Sequence, residues 1–169
     1  VGLAVKTERL LSDMLREGPL PLVRAAAIGA QLAAALRDRH AEGLGAHRSV
    51  GPAKLLVKWD SRGEPVVLLR EPDGSAEPSY LAPEQWAGQA VDERADVYAT
   101  GAVVVHMVQG VPPAKVKPDR ADPPPLAGLP EPLRAVVRRA LWPSPDLRQQ
   151  SAGELFLALA EAHAALRSS

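Results

Sequence analysis

The stretch from Ala99 to Val108 constrains this chain more than any other. Its residues are apolar on nearly every face of a helix, apart from Thr100 and His106. A helix of that kind has no side to offer to water, so other elements must enclose it. It is also far too short to cross a bilayer, and His106 interrupts its longest apolar run. The chain must therefore build a shell around one central helix. Its 169 residues suffice for a single domain, residues 1–169, with such a core. Apolar residues make up 46% but aromatic ones only 4%, and alanine fills many apolar positions, which favours closely packed helices.

The shell can be read in order. Residues 1–5 suit a short strand, and a helix over 8–16 with Thr7 as its cap precedes a stop at Glu17-Gly18-Pro19. A long helix over 21–40 carries Ile28, Leu32 and Leu36 on one face, with Gly43 as its terminator. Two strands, 54–59 and 64–69, flank Asp60-Ser61-Arg62-Gly63, which has hairpin-turn chemistry. Residues 71–91 read as irregular. The central helix spans 92–109 and ends at Gly110. Eight prolines between Pro112 and Pro132 call for an extended loop, with Pro123-Pro124-Pro125 exposed to solvent as a connector or a docking strip. A short helix over 133–141 and a last one over 152–166, opened by a Ser151/Glu154 capping box, complete the chain.

Composition excludes several functions. The net charge is zero, so nothing favours nucleic acid or an anionic membrane, and Arg134, Arg138 and Arg139 read as a solvated helix face. No cysteine is present, which removes disulfide and thiol chemistry and agrees with a cytoplasmic setting. The histidines, His40, His47, His106 and His163, lack metal-ligand spacing, so no metal site is expected. The opening Val1 to Val5 is too short for a signal peptide or a membrane span. A start on Val suggests a trimmed piece of a longer protein.

Three strings occur in order: Pro78-Ser79-Tyr80-Leu81-Ala82-Pro83-Glu84-Gln85, Asp96-Val97-Tyr98-Ala99-Thr100-Gly101 and Pro145-Asp146-Leu147-Arg148. With His47-Arg48 before them, they resemble the C-terminal lobe of a bacterial Ser/Thr protein kinase. The resemblance covers essentially the whole chain. It implies a mainly α fold, a kinase-like C-lobe with a small β-hairpin, and no N-lobe in this chain, since neither a Gly-rich loop nor a Val-Ala-x-Lys strand is present and Lys6 falls at the hinge. It also implies that Glu84 and Arg148 form a buried pair, that Asp96 accepts hydrogen bonds from backbone N–H groups near His47 and Arg48, and that His47 packs on the central helix.

The positions that carry chemistry in that family depart from its pattern. Ser49 stands where it has the catalytic-loop aspartate, Gly51 where it has a lysine, and Lys54 where it has a metal-binding asparagine. Its metal-binding triplet falls on Arg70-Glu71-Pro72, or on Asp73-Gly74 if the register shifts, and Glu77 replaces a bracing threonine. A serine hydroxyl is no base near neutral pH, and a lysine cannot coordinate a cation. These departures lead to the expectation of a pseudokinase without enzyme activity or cofactor. Its role would be a protein-interaction or regulatory domain of a bacterial signalling protein, with a protein partner the sequence does not name. The alternative is a fragment of an atypical phosphotransferase, or a metal-independent nucleotide- or phosphate-binding domain in which Lys54 and Arg70 form an anion pocket. Arg48 is expected to contact Glu71 or Glu77, with Ser75 and Ser79 as possible phosphosites.

Overall fold

In the computed structural model, which describes residues 8–113 and 122–169, the chain starts on a two-residue strand, Arg9–Leu10 (β1). It turns at once into a short helix, Leu11–Arg16 (α1). The helix expected from residue 8 is thus shortened, because Arg9 and Leu10 pair with Val57 and Leu56 instead. Ladder hydrogen bonds outweigh a weak local helix preference there. Thr7, Lys6 and the expected opening strand lie outside the described residues.

The long helix Leu22–Ala41 (α2) follows, with Ile28, Leu32 and Leu36 fully buried. Strands Leu55–Trp59 (β2) and Pro65–Leu69 (β3) form an antiparallel hairpin. Its turn is closed by Asp60 Oδ1, which accepts from the N–H groups of Arg62 at 2.8 Å and Glu64 at 2.9 Å. Gly63 takes a φ of 77° there, open to glycine without strain. Because β1 adds to the other edge of β2, the hairpin becomes a three-stranded sheet of order β1-β2-β3. The segment read as irregular contains a 3-10 turn, Pro78–Tyr80, and a four-residue helix, Pro83–Trp86 (α3).

Three helices complete the chain: Arg94–Gln109 (α4), Leu133–Ala140 (α5) and Ala152–Arg167 (α6). The Ser151 side chain accepts from Glu154 N–H at 3.0 Å. The Glu154 carboxylate reaches one residue further back than a capping box would, to Gln150 N–H at 2.7 Å. Pro124 is buried, so the Pro-rich stretch is not solvent-exposed throughout; its residues 114–121 lie outside the described ones. No helix among the described residues is long and apolar enough to cross a membrane.

Helix α4 is the centre of the fold, and every residue from Ala95 to Val105 is buried. Small residues let its neighbours approach. A Cβ at Gly29 of α2 would lie 2.8 Å from Val104 Cγ2, and one at Gly101 of α4 would lie 3.0 Å from the Ala140 Cβ of α5. Val104 is itself fully buried and has nowhere to retreat. Overpacking of this kind costs roughly 1–3 kcal/mol, against a helix-propensity gain of about 1 kcal/mol for Gly→Ala. Gly29→Ala is therefore expected to lose about 1 kcal/mol net in urea denaturation; a variant as stable as the parent would show that the two helices can part.

Candidate functional site

The site grows from the first turn of α4. Asp96 is only 1% exposed, yet its carboxylate is fully used. It accepts from His47 N–H at 2.7 Å and from Arg48 N–H at 2.9 Å, and it faces His40 Nε2 at 2.8 Å. The loop between α2 and β2 has no ladder of its own, so this carboxylate supplies the partners that its buried amides require. Arg48 sits at φ 66°, a left-handed conformation that costs a side chain roughly 1–2 kcal/mol unless its surroundings hold it. Its carbonyl accepts from Gln85 Nε2 at 2.9 Å, while Gln85 Oε1 accepts from Ala82 N–H at 3.0 Å. Sequence reasoning missed His40. Its only signal was a histidine in the last turn of a helix, and nothing in the sequence says that this turn lies over the start of α4.

His47 is 2% exposed and ties the loop to the sheet. Its Nδ1 faces Ser49 N–H at 3.3 Å, and a backbone N–H can only donate. The ring proton therefore sits on Nε2, which donates to the Arg70 carbonyl at 2.7 Å. Ser49, two residues on, is buried as well.

The second anchor is Arg148, fully buried. Its guanidinium makes a two-pronged bond to Glu84, with both distances 2.7 Å. The remaining donors meet the carbonyls of Trp142 at 2.8 Å, Pro143 at 2.9 Å and Arg94 at 3.0 Å. All five N–H groups of the fork are thus satisfied, and the guanidinium carbon lies 5.0 Å from the centre of the Tyr98 ring. This contact pins α3 to the helical core.

The expected pocket of two open cations is not formed. Lys54, 8% exposed, puts its ammonium 2.5 Å from Asp73 Oδ1 and 2.8 Å from Ser75 Oγ. Lys54, then Ser75 through its hydroxyl and its N–H, holds the Asp73 carboxyl far below the usual carboxylate range. Arg70 is exposed at the end of β3. The expected contact of Arg48 with Glu71 or Glu77 is absent too. Glu71 pairs with Arg39 at 2.6 Å, and among the described residues the Arg48 guanidinium reaches the Val91 carbonyl, at 3.4 Å. Glu77 instead lies against Gly51. A Cβ at Gly51 would come within 2.6 Å of Glu77 Oε1, which accepts from Ala53 N–H at 3.2 Å.

Behind this region the Tyr80 hydroxyl and His106 Nδ1 share a hydrogen bond of 2.6 Å. Burial, helped by the charge of Glu77, pushes the Tyr80 phenol up, and burial pushes the His106 imidazole down. The polar break in the central helix is therefore a neutral, satisfied histidine. Of the arginines on α5, Arg139 pairs with Glu154 at 2.7 Å and Arg134 donates to the Leu129 carbonyl at 2.7 Å. Among the described residues, no group of three or more His, Asp or Glu side chains is placed to hold a metal ion.

No protein-family model matches the chain. Curated relatives do. It is 33% identical to the serine/threonine-protein kinase pkn2 of Myxococcus xanthus over 92% of this chain and 22% of that protein. It is 37% identical to the serine/threonine-protein kinase PknI of Mycobacterium bovis over 84% of this chain and 25% of that protein. Among solved structures, the kinase domain of Mycobacterium tuberculosis PknI superposes with a TM-score of 0.74 at 33% identity, covering 92% of this chain and 62% of that one. The chain thus spans about a quarter of the curated relatives it matches and about three fifths of a kinase domain. These likenesses overturn the expectation that the chain is no enzyme. The relatives it matches are protein kinases. The Asp96 clamp, the Glu84–Arg148 pin and the match over nine tenths of the chain lead to one assignment: the chain has the fold of a protein kinase-like C-terminal lobe and is similar to bacterial Ser/Thr protein kinases.

Proposed function

We propose that this chain is the helical lobe of an atypical bacterial Ser/Thr phosphotransferase. It works in the cytoplasm within a longer signalling protein and is completed by a protein surface that closes over its sheet. The observation that carries this reading is the Asp96 clamp. A buried carboxylate is committed to fixing His47 and Arg48, and so holds Ser49, Gly51 and Lys54 in one geometry beside the end of β3. The outer face of the sheet supports it. Leu10, Leu56 and Leu68 are direct neighbours across the three strands, so they share a face. Leu68 is 44% exposed and the other two are half-buried, which makes an apolar floor suited to the flat ring of a nucleotide.

The divalent cation that the family implies does not fit these residues. Cationic side chains, Lys54 and Arg70, stand at the two positions of its ligands, and the nearest carboxylate, Asp73, already carries the Lys54 ammonium. A fixed ammonium is itself a phosphate-binding group. In this reading a phosphate takes Asp73's place on Lys54, without a metal. A nucleoside triphosphate is therefore expected to raise the melting temperature equally in magnesium and in EDTA. Lys54→Met is expected to abolish the shift, and Asp73→Asn to enlarge it. A shift seen only with magnesium, or no shift in either buffer, would remove this reading.

A further inference from the structure

We propose that Glu77 is the carboxylate that takes the proton from the substrate hydroxyl, in place of the aspartate that Ser49 replaces. The inference rests on the phosphotransferase reading above and adds to it a base that the sequence comparison places nowhere.

Among the groups that touch the loop 47–54 or the strand end tied to it, all but one are already committed. A general base needs an unpaired, ionised group within reach of the reacting proton. Asp96 has three donors on it and is buried. Asp73 carries Lys54 and Ser75. Glu71 is held by Arg39. His47 has both ring nitrogens engaged, one with Arg70 and one with Ser49. Glu77 is different. No cation pairs with it among the described residues, one oxygen accepts only the long bond from Ala53 N–H at 3.2 Å, and the other oxygen has no partner there.

Its position also matters. The carboxylate lies in the space left by the missing side chain of residue 51. A Cβ there would stand 2.6 Å from Glu77 Oε1 and 3.3 Å from Tyr80 Cδ2. Gly51 has an extended φ of −174°, which any residue can adopt, so the backbone does not demand glycine. The space does. Two departures from the family pattern, glycine at 51 and glutamate at 77, thus fit together. The side chain lost at one position makes room for the carboxylate gained at the other, inside the loop that Asp96 holds in place. In the step proposed, the substrate hydroxyl oxygen attacks the terminal phosphorus of a nucleoside triphosphate. Its proton passes to the free oxygen of Glu77, and the bond from that phosphorus to the bridging oxygen breaks, its electron pair leaving with the diphosphate.

The test is phosphotransfer from nucleoside triphosphate to a protein substrate by the full-length protein, with kcat measured across pH. Glu77→Gln keeps a carbonyl oxygen for Ala53 N–H, so its melting temperature should match the parent. Its kcat should fall about 100-fold or more, the usual contribution of a general base, and the acid limb of the pH profile should vanish. Glu77→Asp should recover part of the rate and restore that limb. An active parent whose Glu77→Gln variant keeps both rate and pH profile would overturn the role of Glu77 and leave the phosphotransferase reading standing. A full-length protein that transfers no phosphate would overturn both.

Discussion

Arg148→Ala is expected to leave the chain largely unfolded at ordinary temperature. The buried guanidinium satisfies Glu84 and three backbone carbonyls. Removing one member of a buried ion pair costs roughly 3–5 kcal/mol, because the other charge is left without compensation. A domain of this size has only about 5–15 kcal/mol in total. Stranded carbonyls add to the loss. Lysine should not rescue the fold, since three donors on one ammonium cannot meet a flat array that uses five. Circular dichroism melts and urea titration of Arg148→Ala, Arg148→Lys and Glu84→Ala read the effect directly. An Arg148→Ala chain that melts within a few degrees of the parent would show that the pin contributes little.

Asp96→Ala should be nearly as damaging, but in a different place. It leaves the N–H groups of His47 and Arg48 and the ring of His40 without their acceptor. An unsatisfied buried group costs about 1–3 kcal/mol, so a total loss of about 3 kcal/mol or more is expected if two go unpaired. The loop would suffer first, since Arg48 would no longer be held in its left-handed conformation. Hydrogen exchange separates this outcome from general destabilisation. The amides of residues 47 and 48 should lose protection in mild denaturant before those of α4 do. Asp96→Ala with both amides still protected would mean that the loop is held by something else.

Much of the fold was legible because its signals are local. The apolar circumference of 99–108 called for a buried helix, and α4 is one. The spacing of Ile28, Leu32 and Leu36 marked the buried face of α2, and Asp60 to Gly63 marked the turn between β2 and β3. What escaped was set by distant partners. Strand β1 exists because β2 has a free edge, and two residues carry no strand pattern of their own. His40 joins Asp96 across 56 positions of sequence. At the site, aligned positions showed which residue types had changed but not which charges would neutralise each other. Lys54 and Arg70 looked like a pair of cations, yet Asp73, from a loop without periodicity, closes on Lys54 alone. Likewise Glu77 read as a lost threonine, and only the space at Gly51 shows where its carboxylate goes.

Gln85 couples two stretches of chain that have no other reason to behave alike. One end of its amide is committed to Ala82 N–H and the other to the Arg48 carbonyl. Rotating the side chain to release either stretch sacrifices the second bond as well. The loop after α2 and the short helix α3 should then breathe as one cooperative unit, so a protein that grips α3 from outside also gains leverage over the backbone around Ser49.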